Sequence, residues 1–121
     1  MMNGERVYDI KERTFRFAVE IVHFVSGLPR DTAGYALGRQ LIRSGTSIGA
    51  NVEEAAGART KKEFINSMNV AKREARETLF WLRVLKEAAL VSGQKVNAVL
   101  SECNELVSIL TTIVKRAEGH S

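Results

Sequence analysis

The sequence predicts an all-α protein, an up-down-up-down antiparallel four-helix bundle folded as a single domain over residues 1–121. Three observations lead there. Apolar residues recur at three- and four-residue steps along four long segments, the period of a helix face. Strand-type alternation is absent. The segments are joined by short connections that carry helix punctuation, and short connections make consecutive helices antiparallel neighbours.

The first helix is expected over about 10–27. Ile10, Phe17, Ile21, Phe24 and Leu28 lie on one face, with Thr14 in the remaining slot. Asp9-Ile-Lys-Glu12 resembles a capping box at its start. Gly27-Leu-Pro29 ends it, because proline lacks the donor that a continuing helix needs. The second helix, 32–56, takes Asp31 as its N-cap and buries Leu37, Leu41, Ile48, Val52 and Ala55. Gly34, Gly38, Gly45 and Gly49 interrupt it. Each costs up to about 1 kcal/mol against alanine, so close approach of a neighbouring backbone is the expected reason for them. Gly57 fits a C-terminal cap.

Thr60-Lys-Lys-Glu63 is a stronger capping box and opens the third helix, 61–91. Phe64, Met68, Ala71, Ala75, Leu82, Leu85 and Ala89 form a heptad seam, with Thr78 in its one polar slot. Ser92-Gly93 makes the turn. The fourth helix, 94–117, carries Val96, Val99, Cys103, Leu106, Leu110, Ile113 and Ala117, a stripe widened by Leu100, Val107 and Val114.

Composition narrows the function classes. The hydrophobic fraction of 45% and charged fraction of 26% are those of an ordinary globule. A single cysteine, Cys103, excludes an internal disulfide framework and fits a reducing compartment. The N-terminus is polar, without a signal-peptide core, and no apolar run approaches the roughly 18 residues of a membrane span. A cytoplasmic location and no membrane partner are expected. The net charge of +4 is concentrated between Arg59 and Glu87, where eight cations face four anions. A localised excess of this kind points to polyanionic partners more than a diffuse one does.

Three surface features stand out. On the third helix Lys62, Asn69, Arg76 and Arg83 repeat every seven residues, with Arg73 alongside. At 1.5 Å per residue the stripe spans about 30 Å, enough to follow several phosphates. The alternative is a solvated face whose cations pair with Glu77 and Glu87. Little aromatic residue is interleaved with it, so a stacking platform for single strands is not expected. On the second helix Gln40, Ser44, Ser47, Asn51 and Glu54 recur at steps of four and three, with Arg43 at the edge of the stripe, in reach of Ser47 or Glu53 across turns. This stripe reads either as a polar subunit interface or ligand-lining face, or as hydrogen bonding inside the bundle. Leu79, Phe80, Trp81 and Val84 exceed what one core can bury. Surplus apolar surface marks interfaces, which predicts a homo-oligomer with Phe80 or Trp81 near the subunit contact. The other reading of Trp81 is a cap on the bundle end.

Chemistry is poorly represented. Glu20-Ile-Val-His23 is one copy of the Glu-x-x-His element of di-iron bundles, which need two copies and further glutamates. The other histidine, His120, lies in the C-terminal tail. Cys103 falls on the helical seam and reads as a small buried apolar residue. No glycine-rich phosphate loop follows a strand. No catalytic residue, metal site or cofactor is expected, and the protein is read as a non-enzyme.

Gln40-Leu-Ile-Arg-Ser-Gly-Thr-Ser-Ile-Gly-Ala-Asn51, Glu53-Glu54-Ala55, Glu63-Phe64 and Ala71-Lys-Arg-Glu-Ala-Arg-Glu-Thr-Leu-Phe-Trp-Leu82 together resemble the four-helix bundle proteins related to the 23S rRNA intervening-sequence protein. That family also includes accessory proteins of diversity-generating retroelements. The resemblance implies a bacterial cytoplasmic bundle assembled as a ring-like homopentamer that binds nucleic acid through surface cations. Carried onto this chain, those cations are Lys62, Arg73, Arg76 and Arg83. The expected function is therefore a non-enzymatic oligomeric accessory factor binding RNA or DNA backbone through helix 3. The alternative is an oligomeric scaffold or adaptor for a partner protein.

Overall fold

Caps and breakers set the helix limits in the computed structural model, which describes residues 4–119. Those residues form four helices and no strand: α1 (Gly4–Ser26), α2 (Thr32–Ala56), α3 (Lys61–Glu87) and α4 (Gly93–Ala117). Asp31 caps α2, its Oδ1 accepting from the Gly34 N–H at 2.8 Å. Thr60 caps α3 by accepting from the Glu63 N–H at 3.1 Å, while the Glu63 carboxylate reaches back to the Arg59 N–H at 3.0 Å. The reciprocal bond thus lands one residue before the cap. Ser92 caps α4 through the Lys95 N–H.

Two boundaries differ from the sequence expectation by more than one residue. The first helix starts at Gly4, so Asp9 lies within it and caps nothing. No proline or strong breaker stands between Gly4 and Asp9, and Glu12 pairs instead with Arg16 one turn later, at 3.0 Å. The third helix ends at Glu87, four residues before the expected limit. Ala89 takes a left-handed conformation, φ 55°, and the Leu90 N–H closes onto the Leu85 carbonyl at 3.2 Å. Ala89 is therefore exposed rather than part of the seam.

The core is one cluster fed by every helix: Phe17 and Ile21 from α1, Leu41 and Ile48 from α2, Met68 and Leu82 from α3, Leu106 and Leu110 from α4. Thr14 and Thr78 sit within it without penalty, because their hydroxyls are hydrogen-bonded. The Thr14 hydroxyl donates to the Ile10 carbonyl at 2.7 Å. Each helix packs along its successor, whereas α1 and α4 approach each other over a much shorter stretch.

Gly38, Gly45 and Gly49 of α2 line the α1 seam, where the close approach of α1 leaves little or no room for a Cβ. A methyl on Gly49 would stand 3.2 Å from the Thr14 carbonyl oxygen, and one on Gly34 would overlap the Pro29 carbonyl. Gly45 faces Ile21 and Gly38 faces Val25, so contacts move back along α2 as they move forward along α1. That pairing lets α1 press closely on α2 and sends α2's opposite, polar flank toward α3. No helix among the described residues is long and apolar enough to cross a membrane.

Candidate nucleic-acid interface

The two flanks of α3 hold opposite charges in different states. One flank turns toward α2. There the Arg43 guanidinium reaches across from α2 to Glu74 at 3.3 Å and also pairs with Glu77. Glu77 additionally accepts from the Trp81 indole N–H at 3.0 Å. Directly beneath, the Ser44 and Thr78 hydroxyls share a fully buried hydrogen bond of 2.8 Å. Arg43 thus bridges helices, rather than bonding to Ser47 or Glu53 within its own helix. Its remaining contact is Gln40, whose side-chain oxygen accepts at 3.1 Å.

The other flank and the outer face carry the cations. Lys62, Arg73, Arg76 and Arg83 are exposed, and Lys72 is half-buried beside them. Among the described residues none of the five makes an ion pair; the ion pairs of α3 are those of Glu63 with Arg59 and of Glu74 and Glu77 with Arg43. The cations are solvated, as the sequence alternative expects, but the pairs with Glu77 and Glu87 that it invokes are not formed among the described residues. Glu77 is committed to α2, and Glu87 pairs with nothing among the described residues. Helical geometry explains the sorting. Glu74 and Glu77 lie on the α2 side of the Ala75–Thr78–Leu82 seam, and Lys72, Arg76 and Arg83 lie on the α4 side. Cys103 of α4 donates weakly to the Ala75 carbonyl at 3.4 Å. The carboxylates of α4 nearest this level, Glu102 and Glu105, are both engaged by Arg13 of α1, at 2.8 and 3.1 Å.

The polar stripe of α2 divides. Ser44 is buried against Thr78. Ser47 and Asn51 bond locally, the Asn51 amide donating to the Ser47 carbonyl at 2.9 Å. Gln40 and Arg43 belong to the charged bridge, and Glu54 is exposed. Most of the stripe is accounted for by contacts inside the chain.

Surplus apolar surface falls partly where sequence reasoning overlooked it. Phe80 is 53% exposed on the outer face of α3, edge-on to Trp81 with ring centroids 5.0 Å apart at 71°. Trp81 is half-buried against the core and carries little of that surplus. The other exposed large apolar side chains are Phe15, Val19 and Val22 on α1 and Tyr35 and Ile42 on α2. The signal of those on α1 was present in the sequence as a second apolar set at four- and three-residue steps opposite the core stripe of helix 1.

The chemically suggestive residues of the sequence are dispersed. Cys103 is buried, and burial pushes its thiol up to about 12, far from the thiolate range a nucleophile needs. Burial and the nearby Glu102 charge raise the Glu20 carboxyl. Glu20 and His23 line a depression between α1 and the start of α4, together with Lys95. Among the described residues no three His, Cys, Asp or Glu side chains come together as a metal site would require. His120 lies outside the described residues.

Comparison with known proteins agrees with this architecture. The family model described as 23S rRNA-intervening sequence protein matches residues 6–112. No curated protein matches significantly. Among solved structures, a protein of unknown function from the S23 ribosomal protein family of Bacteroides thetaiotaomicron is similar at 33% identity, with a TM-score of 0.83. The alignment covers 90% of this chain and 97% of that one.

Proposed function

Because this chain belongs to the 23S rRNA-intervening sequence protein family, we propose that it acts without catalysis, as an oligomeric accessory factor that binds RNA or DNA backbone through α3. One observation carries this reading: among the described residues the exposed cations of α3 lack carboxylate partners, while the helix's own acids Glu74 and Glu77 are held on the opposite flank by Arg43. Lys62, Arg73, Arg76 and Arg83 then present a stripe about 30 Å long whose cations form no ion pair among the described residues. Phosphates neutralised along it release counterions, so binding is tolerant of sequence and steeply salt-dependent. In this reading the helices run up, down, up and down, and the protein works in the cytoplasm.

Assembly completes the proposal. The exposed apolar group on α1 and α2 is the surface best suited to bury against another copy, and the family resemblance implies a ring-like homopentamer. The same surface favours a second reading, an oligomeric scaffold that binds a partner protein. One experiment separates them: binding of fluorescent structured RNA and duplex DNA at about 50 and about 200 mM salt, with light scattering on the same sample. Affinity that falls steeply with salt, in an oligomer, supports the accessory factor. Absence of binding at the lower salt removes it and leaves the scaffold. A particle of 13.4 kDa at micromolar concentration removes the oligomer from both.

A further inference from the structure

Sequence reasoning set aside single strands for want of aromatic residues among the cations, and the fold changes that. Phe80 lies four residues after Arg76, three before Arg83 and seven after Arg73, so all four side chains leave the same outer sector of α3. The ring is 53% exposed, so its outer face is open to a ligand. It is also held in place. Trp81 meets it edge-on at 5.0 Å, and Trp81 is itself anchored by its indole N–H to Glu77 and by packing against the core. An immobilised ring loses little entropy when something stacks on it.

Beside that ring the last turns of α3 present an open, shallow surface formed by Phe80, Arg83, Val84, Glu87 and Ala88. Its apolar part, Phe80 and Val84 one turn apart, offers a platform to a flat aromatic face. Its rim offers one cation, Arg83, and one carboxylate, Glu87, neither of them ion-paired among the described residues. A carboxylate at this place repels phosphate, so a bare backbone does not account for it. It does accept from the N–H donors on a base edge, as carboxylates do from the cytosine amino group.

We infer that this platform takes an unpaired nucleobase, which makes the preferred partner a single strand or a loop of RNA or DNA rather than a duplex. The base stacks on Phe80, Glu87 accepts from an amino group on its edge, and Arg73, Arg76 and Arg83 hold the flanking phosphates. This inference rests on the backbone-binding reading above. A base paired within a duplex presents no free face to Phe80, whereas every unpaired base does.

The test compares single strands of roughly 12 nucleotides, oligo(C) and oligo(U) in RNA and DNA form, with a duplex of the same length. Anisotropy gives the affinities at about 50 mM salt, and quenching of the protein's sole tryptophan, Trp81, reports a base close to Phe80. The expected result is tighter binding of single strands with quenching. Phe80→Ala weakens them by roughly 5- to 100-fold, the range of one lost stack, leaves the duplex unchanged, and is rescued by Phe80→Tyr. Glu87→Ala removes a preference for oligo(C) over oligo(U). Equal binding of duplex and single strand, or a Phe80→Ala variant that binds as wild type, overturns the inference while leaving the backbone reading intact. A Phe80→Ala variant that instead changes the particle mass also overturns it, and makes Phe80 a subunit contact. If neither nucleic acid binds, the backbone reading itself falls.

Discussion

The two flanks of α3 are both charged, with opposite signs, and do opposite things. On the α2 side, acids meet Arg43 in a half-buried bridge laid over a buried hydroxyl pair. On the α4 side and outer face, cations stand in water unpaired among the described residues. The difference shows that net charge is a poor guide to a binding surface. Eight cations and four anions lie between Arg59 and Glu87, yet what a ligand meets depends on which charges the fold has already paired. By drawing Glu74 and Glu77 toward α2, Arg43 makes the opposite face more basic than the sequence count suggests.

The largest way to break this contrast is Arg73→Glu/Arg76→Glu. Reversing two charges at the centre of the open flank lowers nucleic-acid affinity at low salt on the order of 100-fold, about 3 kcal/mol. It also flattens the salt dependence by roughly two contacts' worth of slope. Both side chains are exposed and unpaired among the described residues, so chemical denaturation finds the bundle's stability unchanged or slightly higher. A matching loss of stability would mean that these cations serve the fold, not a ligand.

Next in size is Thr78→Val, which acts on the closed flank. It keeps the shape but leaves the buried Ser44 hydroxyl without its partner on α3, an expected cost of about 1 to 3 kcal/mol. Ser44→Ala/Thr78→Val removes both hydroxyls and recovers part of that loss, so a double-mutant cycle shows coupling. Nucleic-acid affinity stays as in wild type. The two results together would establish that stability and binding reside on separate sides of one helix.

Much of this division was written in the sequence, and its key step was not. Heptad spacing located the seam from Phe64 to Leu85, and Thr60 announced the start of α3, because both are local patterns that tertiary context leaves alone. The end of α3 was misjudged since Ala88, Ala89 and Leu90 are good helix formers, and the reversal at Ala89 depends on packing of the chain beyond it. The start of α1 was misplaced for the converse reason: Asp9 has the chemistry of a cap, but nothing before it stops a helix. Pairing Glu77 and Glu87 with the stripe failed because i,i+4 rules know only one helix, and Arg43 is separated from Glu77 by 34 residues. The same limit concealed the sector shared by Phe80 and the arginines, whose exposure only the packed bundle defines.

Arg43→Met sharpens the comparison with a smaller effect. The pairs it removes are partly exposed, Arg43 itself about half so, and surface pairs of this kind contribute about 1 kcal/mol or less. The functional consequence is expected to exceed the structural one. Freed from α2, Glu74 and Glu77 add their negative field to the open flank, and nucleic-acid affinity at low salt drops several-fold without loss of any proposed contact. If affinity is unchanged, the cations are indifferent to the acids, and the sorting of charge across α3 has no role in binding.

The smallest effect is also the most discriminating. On the open flank Lys72 and Arg76 stand four residues apart, and Arg73 and Arg76 three apart, so like charges repel along the helix at a cost of about 0.2–0.5 kcal/mol per pair. Arg76→Gln relieves two such pairs and is expected to stabilise the bundle by a few tenths to about 1 kcal/mol at low salt. The gain disappears as ionic strength rises and the Debye length shrinks to about 8 Å. The closed flank responds in the opposite sense, since salt weakens the attraction of Arg43 for its acids. Melting curves of wild type, Arg76→Gln and Arg43→Met at low and physiological salt therefore carry signs that no general surface effect reproduces. A face that costs the free protein stability is also the face that a bound polyanion would relieve. Arg76→Gln should accordingly gain in the free protein and lose that gain once nucleic acid is present.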